Sequence, residues 1–233
     1  MLRANVVEEE PEETEENLLL WWWIASQAYY LRPRDRVQPG QTRVVDDEEL
    51  LEIRDDLPEL RQLDVRQLAH WLATGQITLQ EYNQQMKDYT EATDTYQYVM
   101  RRGGHNAMSQ GDYRRLAGII RRHFEEIDAL SGRIGEGRYS EGQIAVYSGN
   151  IINGTRESAE VGHAQAYGLE LPAYPADGST ICKKGDKCYW DIVKLSGNGN
   201  FDAYWRRTVS ESCPTCIQRA NEWSPLKVRN WEY

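Results

Sequence analysis

The chain of 233 residues carries 27 basic and 37 acidic side chains, a formal net charge of -10. Such an acidic balance argues against nucleic-acid binding as the main task, because phosphate contacts need a basic surface. The length allows one large domain or a domain with an appendage. Two Phe against fourteen Tyr and eight Trp favour surfaces that are partly wet or covered by a partner.

Residues 1–17 are rich in carboxylates and read as a disordered acidic tail. Residues 18–31, LLLWWWIASQAYYL, follow as an aromatic arm. Trp21, Trp22 and Trp23 cannot all face one core, since neighbours on a helix diverge by about 100°. Three readings stay open: a short helix buried against the fold, a docking segment in which these three tryptophans bind a partner, or contact with a membrane surface. The run is too short to span a bilayer, and no secretory signal is visible. The expected setting is therefore a reducing cytoplasm, where paired cysteines more often hold metal than form disulfides. Pro33, Pro39 and Gly40 make residues 32–41 a linker.

Residues 42–168 read as a helical domain. A helix over 60–74 is stopped by Gly75. Thr78 and Glu81 form a capping-box pattern opening a second helix. Its seam is Leu79, Tyr82, Met86, Tyr89, Thr93, Tyr96 and Met100, and Gly103 and Gly104 end it. A third helix starts near Ser109, with Asp112 in its first turn and a seam of Tyr113, Leu116, Ile120, Phe124, Ile127, Leu130 and Ile134. Its arginines (Arg114, Arg115, Arg121, Arg122) read as a solvated face, with contact to DNA or an acidic partner as the alternative. A last helix opens at the Ser140 and Gln143 capping pair and runs to Gly168. It buries Ile144, Tyr147, Ile151 and Thr155, and Gly154, Ser158 and Gly162 permit close helix approach. Long helices joined by short turns favour an antiparallel bundle. The four histidines are scattered and read as surface or internally satisfied groups.

Residues 169–233 change character. A proline-containing strap over 169–180 leads to all four cysteines, in the order C-x5-C, twenty-four residues, C-x2-C. Between the pairs, Asn198 and Gly199 signal a type I′ hairpin turn. With that turn Val193 faces Tyr204, Ile192 faces Trp205 and Asp191 faces Arg206, each a favourable cross-strand pair. The same register carries Cys213 back near Cys188. Cys182, Cys188, Cys213 and Cys216 then form a four-thiolate site for a structural zinc ion, with disulfides or free thiols as the competing readings. A four-thiolate site is closed to substrate, and no acid, base or nucleophile converges elsewhere, so the expectation is no enzyme. The expected fold is mainly α: a long-helix antiparallel bundle with a small C-terminal zinc-ribbon-like β-hairpin module.

Segments such as LRQLDVRQLAHWLATGQITLQEYNQQM, RRGGHNAM, QIAVYSGNIINGTRESAE and LPAYPADGSTIC, with Cys188 and Trp190 after them, carry a further signal. On these the chain resembles the head-morphogenesis (minor head) proteins of tailed bacteriophages over most of residues 60–223. The family pattern usually has a closely spaced cysteine trio, whereas Gly185 and Asp186 stand here where a middle cysteine would fall. The resemblance implies a multi-copy virion component near the portal, assembled in the bacterial cytoplasm and touching portal or other head proteins. A cellular zinc-ribbon adaptor for protein or nucleic acid is the alternative.

Overall fold

Side-chain caps set the helix starts. Thr78, Ser109 and Ser140 each accept from the backbone N–H three residues on, and Glu81, Asp112 and Gln143 each reach back to the cap's own N–H. These reciprocal bonds satisfy amides that an α-helix leaves without partners. The computed structural model describes residues 47–185, 187–196, 199–208 and 212–229. By internal contacts the chain divides into Met1–Val45 and Asp46–Tyr233, and only the second unit contains described residues. The acidic tail, the linker and the arm with Trp21, Trp22 and Trp23 lie outside them.

The helices are α1 (Asp47–Ala73), α2 (Leu79–Arg102), α3 (Gln110–Gly135), α4 (Glu141–Gly154), α5 (Arg156–Ala166) and α6 (Pro214–Glu222). A three-stranded antiparallel sheet, β1 (Tyr189–Lys194), β2 (Phe201–Arg206) and β3 (Leu226–Val228), lies near the C-terminus in the order β1-β2-β3. The described part is thus mainly helical with one small sheet. None of its helices is long and apolar enough to cross a membrane.

The first helix begins well before residue 60 and contains Pro58. It ends where Gly75 takes φ +71°, a left-handed conformation that glycine adopts without a Cβ penalty. One apolar core joins Val65 and Leu68 of α1, Tyr82 and Met86 of α2, Ile127 and Leu130 of α3, and Ile144, Ile151 and Ile152 of α4. Two seam positions differ from the sequence reading. Tyr113 and Tyr147 are exposed, and the buried positions beside them are Asp112 and Ser148. Ser148 Oγ lies 2.5 Å from the hydroxyl of Tyr82, so a polar pair fills a place read as apolar.

Residues 141–166 are two helices, not one. Thr155 separates them; its hydroxyl donates to Ile152 O at 2.7 Å. Beyond that break every residue from Arg156 to Gln165 is buried, although six of the ten are polar or charged. Partners distant in sequence make this tolerable. Ser158 Oγ donates to Asp94 Oδ1 at 2.6 Å, and His123 Nδ1 lies 2.7 Å from Asp94 Oδ2. Glu157 accepts from Arg122, and burial nevertheless pushes its carboxyl above the usual range. Gly162 lets α5 press on α2: a Cβ there would fall 2.4 Å from the carbonyl oxygen of Tyr98.

Asp112 provides a pH-dependent element. Burial pushes its carboxyl up, but hydrogen bonds from Ser109 Oγ (2.6 Å), Ser109 N (2.8 Å) and the Tyr98 hydroxyl (2.9 Å), with Arg102 nearby, hold it below the usual range. A carboxyl depressed in the folded state contributes stability above its unfolded pKa and loses it as pH falls through the folded one. Asp112→Asn should therefore destabilise the protein by about 1–3 kcal/mol at neutral pH, and the gap should narrow below about pH 4. Urea titrations of both proteins across that range will measure it.

The hairpin pairs Val193 with Asp202, Ile192 with Ala203, Asp191 with Tyr204 and Trp190 with Trp205. This corrects the expected register by two residues. The connection is longer than a two-residue turn, closing with Leu195 N donating to Asn200 O at 3.0 Å. A two-residue shift keeps every side chain on its face, so the core side is unchanged. Asp191 still meets Arg206, but diagonally, at 2.9 and 2.8 Å.

Candidate metal centre

The strap over 169–180 is fixed by its own turn chemistry. Asp177 accepts from Tyr174 N at 2.9 Å and from Ser179 N at 2.7 Å, which folds the chain back before Cys182. Ala173 O accepts from the Trp190 indole at 2.9 Å, tying strap to sheet. Past Cys182 the backbone turns tightly: Lys183 N donates to Thr180 O and Gly185 N to Cys182 O, both at 3.0 Å. Lys183 takes φ +52°, a left-handed position that a side chain adopts at some strain.

The opposite wall is α6. Cys213 is its N-cap, Pro214 its first residue, and Cys216 lies within the first turn. Proline suits that place because its missing N–H has no intrahelical partner there anyway. The sulfurs of Cys182, Cys213 and Cys216 all lie within 4.8 Å of one another. None of the four cysteines forms a disulfide. Cys188 is not a member of that trio; it is buried immediately before β1, in the same apolar cluster as Cys216.

The donor chemistry fits a thiophilic ion. Tetrahedral zinc at roughly 2.3 Å per Zn–S bond needs sulfurs about 3.8 Å apart, which lies inside the 4.8 Å that encloses these three. Burial works against ionising Cys213, yet interactions with the Cys182 thiol and with the amides of Cys216 and Cys182 outweigh it and bring the thiol down to about 7. Burial and the neighbouring Cys213 push Cys182 up. A mixed set of this kind releases protons when a cation binds.

Comparison with protein-family models, with curated proteins and with solved structures finds no match for this chain.

Three tryptophans back the thiols. Trp190, Trp205 and Trp223 sit with ring centroids 5.3–5.7 Å apart, the Trp190–Trp223 pair stacked and the other two edge-on. Arg219, one turn beyond Cys216, lies over Trp205 at 5.0 Å and Trp223 at 5.3 Å, and donates to Ser179 Oγ at 3.0 Å. The sequence reading passed over Arg219 and Trp223. Their four-residue spacing behind the C-x2-C pair was the available signal, since residues so spaced are neighbours on a helix face.

Proposed function

We infer that the protein is a non-enzymatic structural component whose C-terminal module is organised by one zinc ion. The observation that carries this is the approach of three thiols drawn from two stretches thirty-one residues apart, Cys182 on the strap and Cys213 with Cys216 on α6. Cys188, buried in the same cluster, completes a four-thiolate set in this reading. A closed set has no open coordination position and acts by crosslinking. The zinc-ribbon-like description and the packing of the long helices as an antiparallel bundle belong to the same proposal.

The setting proposed is the head of a tailed phage, as a minor head protein beside the portal. The sequence resemblance supports it, and the aromatic arm with Trp21, Trp22 and Trp23 would supply the docking contact. Mass spectrometry of purified particles tests that part: the chain should be present in several copies, and its absence from virions would remove the reading.

Metal analysis tests the zinc. Protein purified without added metal should carry one zinc per chain by native mass spectrometry. Cys213→Ser should lose it and expose residues 169–229 to protease while helical circular dichroism is largely kept. A folded, metal-free C-terminal region with four titratable thiols would refute the site.

A further inference from the structure

We propose that Lys184 is a latch joining the Cys182 loop to the helical part, so that metal binding and the packing around His123 are energetically linked. This rests on the zinc reading above and assigns it a regulatory consequence.

Lys184 belongs to the tight turn that follows Cys182, and the bond from Gly185 N to Cys182 O makes ligand and lysine one short rigid piece. Its side chain leaves that turn and lies across the end of α4. A Cβ at Gly154 would fall 2.8 Å from both Cδ and Nζ of Lys184, and 3.0 Å from His123 Nε2. A side chain at position 154 would compete with the lysine for that notch. The ammonium reaches Glu126 Oε2 on α3 at 2.5 Å, and the lysine side chain is 15% exposed.

The notch opens inward onto the polar network. His123 Nδ1 lies 2.7 Å from Asp94, which also accepts from Ser158. In the tautomer that donates from Nδ1, Nε2 carries the lone pair and borders the notch that the lysine fills. Lys184 and His123 thus line the same notch, and hydrogen bonds carry on from His123 to Asp94 on α2 and from there to Ser158 on α5. The ion pair is the weaker part, because Glu126 is half-exposed beside an open cleft of about 190 Å³ and water screens it. The lysine stem seated in the Gly154 notch is the stronger part, since long aliphatic stems bury apolar area while the charge stays paired.

A loop already held in place loses less freedom when Cys182 takes a metal. By linkage, metal on Cys182 must then stabilise what the latch touches. The test uses the full chain and its Lys184→Met and Glu126→Gln variants. Zinc affinity is read by competition with a chromophoric chelator, and hydrogen exchange over residues 116–130 and 150–160 is followed with and without zinc. In the unsubstituted protein, removing zinc should speed exchange in both segments. Lys184→Met should weaken zinc about tenfold, equivalent to about 1.4 kcal/mol, and abolish the zinc dependence of exchange. Glu126→Gln, isosteric and remote from the thiols, should shift both readouts the same way by a smaller factor, which a purely local folding role would not do.

Unchanged zinc affinity in both variants, with helix exchange still responding to zinc, would overturn the latch and leave the metal site standing. Failure of the unsubstituted protein to bind zinc would overturn both.

Discussion

Asp94→Ala should lower stability by about 3–5 kcal/mol, because two buried donors lose their acceptor at about 1–3 kcal/mol each. Asp94 is fully buried, and both its oxygens are used, one by Ser158 and one by His123. Truncation leaves a hydroxyl and a ring nitrogen with no acceptor in an interior that water does not reach, and opens a small void. Asp94→Asn keeps the volume and the bond from Ser158, so it should cost roughly half as much or less. Urea unfolding followed by helical circular dichroism will separate the three proteins. Equal stability of Asp94→Ala and the unsubstituted chain would mean that desolvation cancels the attraction and that the network is energetically idle.

Gly162→Ala should destabilise even though alanine is the better helix former by about 1 kcal/mol. The added Cβ would meet the Tyr98 carbonyl oxygen at 2.4 Å and its carbon at 3.1 Å, and backbone cannot rotate away as a side chain can. The α2 and α5 backbones must separate along a face where Ser158 and Asp94 are bonded. Overpacking of this sort costs about 1–3 kcal/mol, and the upper end is expected here. Gly118, in the middle of α3, is the control: a Cβ there meets nothing within 4 Å. Gly118→Ala should stabilise by up to about 1 kcal/mol. Opposite signs for the same chemical change would locate the close approach at Gly162. Thermal unfolding of the two variants is sufficient to see it.

How far the sequence could be read depended on how local each cause was. The capping boxes at Thr78, Ser109 and Ser140 need only four consecutive residues, and all three helices start where those patterns stand. The first half of the α2 seam was equally plain, because Tyr82 and Met86 face a single apolar neighbour layer. From Thr90 onward α5 covers a second side of α2, and Asp94, Gln97 and Arg101 go inside. Nothing within a helical turn announces that, since the groups that satisfy Asp94 are 29 and 64 residues away. The polar run RESAEVGHAQA shows its burial in sequence only through small residues such as Ser158 and Gly162, for the same reason. Its composition matches a surface helix, and only tertiary partners make it an interior one.

The candidate site divides along the same line. Spacing alone brought out the C-x2-C knuckle, and Cys182 joins it. The longer C-x5-C interval leaves Cys188 free to follow β1, so its distance to the trio depends on strand geometry that spacing does not encode. The Asn-Gly dipeptide at 198 and 199 predicts a register two residues from the observed one, because the closing bond from Leu195 to Asn200 defines a wider loop.

Among the described residues, the tryptophan trio gives the C-terminal end an optical signature. Indole rings in contact share their excited states, and a fixed, chiral arrangement such as that of Trp190, Trp205 and Trp223 produces paired bands of opposite sign in circular dichroism. The fourth described tryptophan, Trp71, packs against the helical core, outside this trio. Among the described residues, such exciton bands report the assembly of strands β1 and β2 and the residue after α6, in the same scan whose amide bands report the helices. The two halves of the molecule can be watched as they melt, without a label.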